Sequence, residues 1–321
     1  MYAVKNRWIV LVVLLCSILC LWGCRGSQAE APIAGKTGVN GSGNGVNGGL
    51  ICGDGGSGLY VSHPEDGRLL HIADGAVTRV GDVENVSQLN YSAGRLYFCA
   101  DRGINDDNEP REAGVYVYDG SVRRILDRDV LTLTVSGEKL IFTDMTGAYS
   151  AAPDGSDPTL IREGFIRQIV PYEDKYYVFE IVDGDGVLEL CGAGGEVLET
   201  IAPNCAGGVN VTKTQVLFFG AEGILAVPHG QYGQVRQVVY ADGVRGLNAA
   251  DADIFYVSSA LGEPSLNTYR NQQSSVLIPP SVLGGLENGP YIVNGQIYYM
   301  ARGALYRAEL DGTGLTPVAL E

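Results

Sequence analysis

Three histidines, His63, His71 and His229, are the side chains here with an ordinary pKa near neutrality, and each stands alone in the 321-residue sequence. Nucleophilic or acid–base catalysis needs a base held within hydrogen-bond reach of its partner. The local patterns that announce such pairs are missing: the sequence has no G-x-S-x-G, no H-E-x-x-H and no G-x-x-x-x-G-K-[ST]. Gly53-Asp54-Gly55-Gly56 and Gly192-Ala193-Gly194-Gly195 are glycine-rich but lead into no helical pattern, so they read as turns rather than phosphate cradles. His71 lies in an alternating run and reads as a packed or rim residue.

What accumulates instead is carboxylate. The stretch Asp101–Gly114, DRGINDDNEPREAG, carries Asp101, Asp106, Asp107 and Glu109. Asp144, Asp183 and Asp185 sit in shorter turns of the same kind, as do Glu65, Asp66, Glu222 and Glu263, against few basic residues (Arg102, Arg111, Arg302). Such oxygens are the donors calcium prefers, but their spacing matches no EF-hand. The competing explanation is solvation of exposed turns, and Asp183-Gly184-Asp185-Gly186 reads as a turn on composition alone. The reading assigns no cofactor; calcium is the one ion this donor set suits.

Cysteine offers a second chemistry. Cys16, Cys20 and Cys24 belong to an apolar leader, leaving Cys52, Cys99, Cys191 and Cys205. Cys191 falls in an expected third strand and Cys205 just past the fourth, a separation open to a local disulfide in an oxidising compartment. Cys52 and Cys99 fall in adjacent repeats. The alternative is four buried thiols acting as small hydrophobes. No pair has the spacing of a zinc site.

The elements that must position these groups are short strands in a repeat. Lys139–Ile161 reads as three strands: an apolar run at Leu140, a second at Ala148–Ala152, and a third from Thr159 after Pro153-Asp154-Gly155-Ser156. Asp-Gly between alternating apolar runs is a hairpin signal. The plan recurs near the C-terminus with Asp311-Gly312. Anchor runs begin at Leu59, Leu96, Leu140, Tyr176, Val216, Ile254 and Ile297, spaced 36 to 44 residues apart. That period, with several strands per unit, is the signature of a β-propeller blade. The fold class is therefore all-β: a propeller of four-stranded blades. Seven anchors predict seven blades; six, with one unit split, is the alternative. The inner strand precedes each anchor, as Val130–Val135 precedes Leu140, whereas Asn47–Gly53 is a poor first strand.

Ile141-Phe142-Thr143-Asp144, followed by a turn, a strand and Asp154-Gly155-Ser156, resembles the YWTD repeat of low-density-lipoprotein-receptor propellers. Asn47-Gly48-Gly49 followed by Gly58-Leu59-Tyr60 looks like the opening of a bacterial domain-of-unknown-function family described as receptor-like β-propellers. The likeness runs from about Asn47 to Glu321. It implies the fold, and it carries over no cargo-binding residues.

Residues 1–23 read as an export leader: Lys5 and Arg7, then an apolar segment from Ile9 to Leu21. It is expected to be helical. Leu21-Trp22-Gly23-Cys24 looks like a bacterial lipobox, which implies lipidation of Cys24 and display on the outer side of a cell membrane. Residues 24–46, rich in Gly, Asn and Ser with GVNG at 38–41 and again at 45–48, read as a disordered linker too poor in apolar surface to fold. The propeller is assigned to 47–321. Formal net charge is −15. Such acidity argues against nucleic acid and against adsorption to anionic lipid, so contact with a membrane is expected through the anchor alone.

The expected function is that of a monomeric, non-enzymatic binding or scaffolding module for a protein, peptide or glycan. One competing class is a propeller hydrolase or lyase with a metal over the central channel; its inner-strand candidates, including Asn90, Asn210 and Asn248, supply too few carboxylates to suggest that. Another is a structural protein of the cell envelope.

Overall fold

The computed structural model describes residues 36–37, 40–103, 112–250, 252–259, 262–283 and 285–321. The leader, Cys24, and Asp106, Asp107 and Glu109 lie outside them. Within the described residues stand seven four-stranded antiparallel sheets, each built from four consecutive strands. Blade 1 spans Ile51–Arg79, blade 2 Glu84–Leu126, blade 3 Thr132–Glu163, blade 4 Phe165–Ala202, blade 5 Asn210–Tyr240, blade 6 Arg245–Ile278 and blade 7 Leu286–Val318. Seven is the count expected from the anchors.

Every anchor run is the second strand of its blade, from Leu59–Ser62 in blade 1 to Gln296–Ala301 in blade 7. The reason is burial on both faces: Leu140–Thr143 is buried throughout, because each sheet is sandwiched between two others. Such strands read as continuous apolar runs rather than alternation. A cross-strand aromatic pair recurs between second and third strands. Phe98 opposes Tyr116, Phe142 opposes Tyr149 and Tyr299 opposes Tyr306, with ring centroids 5.8, 5.5 and 5.4 Å apart. These stacks add to area burial of about 1.5–3 kcal/mol per large side chain. Two-residue turns set the register. Asp183 and Gly184 link Val182 to Asp185 with φ of 53° and 93°, the left-handed pair that suits the twist of a hairpin.

The core is seven clusters, one per blade–blade interface. Ile141, Ala148 and Ile161 of blade 3 meet Ile166, Ile169, Val178 and Cys191 of blade 4. The seam between blades 7 and 1 is one of the seven: Tyr291, Val293, Tyr298, Met300 and Leu305 pack on Ile51, Leu59 and Val61. Among the described residues no strand crosses that seam, since blades 1 and 7 are each made of contiguous chain.

Two boundaries differ from expectation. Blade 3 opens at Thr132, not Val130, and blade 1 opens with a strand of only three residues, Ile51–Gly53. The linker reading of 24–46 meets a larger difference at its C-terminal end. Lys36–Thr37 pairs with Asn40–Gly41, and Ser42–Val46 is a helical turn with Ser42, Gly43 and Asn44 buried. Apolar area does not hold this segment; hydrogen bonds to the inner strands do.

Candidate functional site

Among the described residues, Asp101, Asp144, Asp183 and Asp185 do not group at one point. Asp101 is 8% exposed and is used internally: Asn85 Nδ2 donates to both its oxygens at 3.1 and 2.9 Å, and the Gly103 N–H donates to Oδ1 at 2.9 Å. Asp144 caps its own turn, accepting from the Thr146 N–H, the Thr146 hydroxyl and the Gly147 N–H, and it pairs with Arg128 at 3.1 Å. These are the ligand-like contacts of Asx turns, directed at the backbone. Asp183 and Asp185 stand exposed on a hairpin of blade 4. Among the described residues no three His, Cys, Asp or Glu side chains group as a metal site.

The four described cysteines are free and buried, so the disulfide between Cys191 and Cys205 is not formed. They lie on opposite sides of blade 4. Cys191 packs against blade 3 and Cys205 against blade 5. Cys52 and Cys99 are separated in the same way by blade 2. Burial pushes the Cys99 thiol up to about 12 and Cys205 to about 11.

Beside Cys191, Arg162 of blade 3 reaches two carboxylates of blade 4. Its Nη2 lies 2.5 Å from Glu180 Oε2 and 2.7 Å from Glu189 Oε2, and its Nη1 donates to Cys191 Sγ at 3.2 Å. The Glu189 contact is an ion pair without hydrogen-bond alignment. All three charged groups are largely buried, which makes this cluster a clamp between blades.

The histidines are spoken for as well. His71 stacks on Tyr60 at 4.5 Å and meets Asp54 Oδ2 at 3.0 Å. Burial alone would raise the Asp54 carboxyl. The hydrogen bonds from His71 and from the Gly56 and Gly58 N–H groups outweigh it and hold the carboxyl below its usual range. His229 stacks on Tyr172 at 4.2 Å, donates from Nε2 to the Thr212 carbonyl at 2.9 Å and accepts from the Tyr177 hydroxyl at 2.7 Å.

Polar groups do gather in the central channel, on the segment read as linker. The Ser42 hydroxyl donates to Asn210 Oδ1 at 3.0 Å and accepts from the Val211 N–H at 2.8 Å. Asn44 Oδ1 accepts from Asn248 Nδ2 and from the Ile292 N–H, while its Nδ2 donates to the Ile292 carbonyl. Asn47 Nδ2 donates to the carbonyl of Pro290 at 2.7 Å. On the opposite side the N–H groups of Gln88 and Leu89 donate to the Gly48 and Gly49 carbonyls. The segment therefore ties blades 5, 6 and 7 to blade 2, spanning the strandless seam. Gly43 is required at its narrowest point, where a Cβ would lie 2.3 Å from Asn248 Oδ1 and 2.4 Å from Asn210 Nδ2.

Between this segment and blades 2, 3 and 4 remains a cavity of about 240 Å³, bordered by Gln88, Thr132, Thr134, Arg167 and Gln168. Thr132 and Gln168 are engaged, with the Thr143 hydroxyl and with the Val209 backbone. None of these five residues was singled out from sequence. Arg167-Gln168 in Phe165–Tyr172 is a polar pair within an otherwise apolar strand, which is the one local signal they leave.

No family model matches the chain, and no curated protein does. Solved structures match its fold. The extracellular domain of a putative hybrid two-component system from B. thetaiotaomicron aligns at TM-score 0.57 and 13% identity, over 88% of this chain and 39% of that one. The β-propeller domain of the Trilobed protease from Pyrococcus furiosus, described as having an open velcro topology, aligns at 0.56 and 11%, over 82% and 93%. A puromycin-hydrolyzing peptidase of Mycobacterium tuberculosis aligns at 0.56 and 13%, over 78% and 48%. The chain thus spans less than half of the first and third proteins. Identities this low establish the propeller and nothing finer.

Proposed function

We propose that this chain is an extracytoplasmic binding or scaffolding propeller, held to a membrane by a lipid on Cys24 and engaging a protein, peptide or glycan. The observation that carries the reading is the filled channel. Of the three inner-strand amides, Asn210 and Asn248 are spent on the protein's own Ser42 and Asn44, while Asn90 gives its Nδ2 to the Gln88 and Leu133 carbonyls and keeps a buried Oδ1 without a partner. That supports binding over a channel-centred hydrolase or lyase. It leaves the ring's faces and the side cavity as the surfaces for recognition, the loops around Asp183 and Asp185 among them.

Capture from intact cells with the purified protein, with and without chelator, tests the reading. Retention of a defined envelope component supports it. Turnover of a captured component would replace it with the enzymatic alternative. The anchor is tested separately: Cys24→Ala should abolish lipid labelling and release the protein from membranes, and unchanged labelling would remove the anchor from the proposal.

A further inference from the structure

Gln88 is 8% exposed, borders the 240 Å³ cavity, and its side-chain amide has no hydrogen-bond partner among the described residues. Its polar atoms keep solvent access through the cavity, so the amide is open to a hydrogen bond from a bound group. Its backbone is also held in the left-handed region, at φ 52°. The channel segment enforces that conformation. Gln88 N–H donates to the Gly48 carbonyl at 2.9 Å, and a Cβ on Gly49 would lie only 2.7 Å from Gln88 Cα. The same left-handed backbone occurs at eleven other described non-glycine residues, and at Gln88 it accompanies a bulge in the pairing of the first two strands of blade 2.

Two more free donors share the cavity wall. The Thr134 hydroxyl and the Arg167 guanidinium have no hydrogen bond or ion pair to another described residue, although Arg167 Cζ stands 5.3 Å from the Phe165 ring centroid, which orients it. A guanidinium fork with an amide and a hydroxyl beside it is the donor set of a carboxylate site. The ligand's size and net charge narrow the class. The cavity is smaller than the roughly 300–1,000 Å³ of sites that enclose drug-sized ligands, so it fits the end of a chain or a very small acid. The protein is strongly acidic at −15, which disfavours a polyanion and leaves a single carboxylate on a neutral or cationic body.

Resting on the reading of the ring as a binding module, we infer that the cavity bordered by Gln88, Thr134 and Arg167 binds a carboxylate, the free C-terminus of a peptide or a small carboxylic acid. The test uses full-length protein in detergent and calorimetric titration with trialanine, trialanine amide and acetate up to roughly 10 mM, a range that covers weak fragment affinities. Trialanine should bind, its amide at least about ten-fold more weakly, a loss of about 1.4 kcal/mol. Arg167→Gln, exposed and remote from the core, should weaken trialanine binding at least as much, and Thr134→Val should weaken it less. Acetate competing on equal terms with trialanine assigns a small acid; trialanine about ten-fold tighter assigns a chain end. No binding, equal binding of acid and amide, or unchanged binding by Arg167→Gln overturns the inference. An envelope component captured equally well by Arg167→Gln would overturn it too while leaving the binding-module reading intact.

Discussion

Asn248 Nδ2, on an inner strand of blade 6, donates to Asn44 Oδ1 at 2.7 Å across 204 positions of sequence. The same oxygen accepts from the Ile292 N–H of blade 7 at 2.8 Å. One amide thus holds two blades to a segment that also reaches blade 2, across the seam between blades 7 and 1 that no described strand closes.

Replacing Asn44 by Ala leaves the half-buried Ile292 N–H and carbonyl and the buried Asn248 amide without these partners. The expected loss is about 1–3 kcal/mol. Thermal unfolding should fall by roughly 2–4 °C for each kcal/mol in a domain of this size. Gly43→Ala should match or exceed it, because its Cβ overlaps Asn210 and Asn248. Melting points equal to the parent's would show that the segment is dispensable to ring closure.

Arg162 serves two carboxylates and a thiol in a largely buried setting. Arg162→Met should cost about 3–5 kcal/mol, since it strands Glu180 and Glu189 as like charges. Adding Glu180→Gln and Glu189→Gln should restore much of that loss. Additive losses in denaturant titrations would contradict a clamp held by charge.

His229 is held neutral. Burial lowers its pKa, and the hydrogen bond to the Thr212 carbonyl opposes that only in part. The unfolded chain then takes up the proton first, so this stabilisation is complete above about pH 6.5 and is lost as pH falls through the lower folded value. Nitrogen-15 NMR should show a proton on Nε2 and a titration midpoint below 6.5. A midpoint above 6.5 would mean that the Tyr172 stack and the Tyr177 hydrogen bond do not shield the ring.

The buried thiols give the opposite slope. With folded values near 12 for Cys99 and 11 for Cys205, the unfolded state loses protons first. Stability present below about pH 8.5 should decline above it, by about 1.4 kcal/mol per pH unit for each titrating thiol. Cys99→Ala and Cys205→Ala should each flatten that slope. In the native protein Cys52, Cys99, Cys191 and Cys205 should react with thiol reagents only on unfolding, and rapid labelling of Cys191 or Cys205 in the folded state would contradict their burial.

The repeat was legible because burial on both faces of a blade writes itself locally. Phe98, Phe142, Phe218, Phe255 and Tyr299 are all fully buried in second strands, and each sits in an apolar run recurring near every 40 residues. Hairpin chemistry such as Asp154-Gly155 and Asp311-Gly312 is equally local, and both turns join third to fourth strands as read. The number of blades and the order of strands therefore follow from short-range pattern. The channel does not. Ser42–Gly49 has a linker's composition, and what orders it are amides on Asn210, Asn248 and the backbone of Pro290 and Ile292, some 170 to 250 positions away. The acidic turns stay open in the sequence for a related reason. A carboxylate that solvates, caps its own turn like Asp144, or binds a partner has the same local sequence, and only the fold decides which hydrogen-bond donors reach it. The cysteines show the limit most simply. Fourteen positions separate Cys191 from Cys205, yet a sheet lies between them, because a blade presents its two faces to different neighbours.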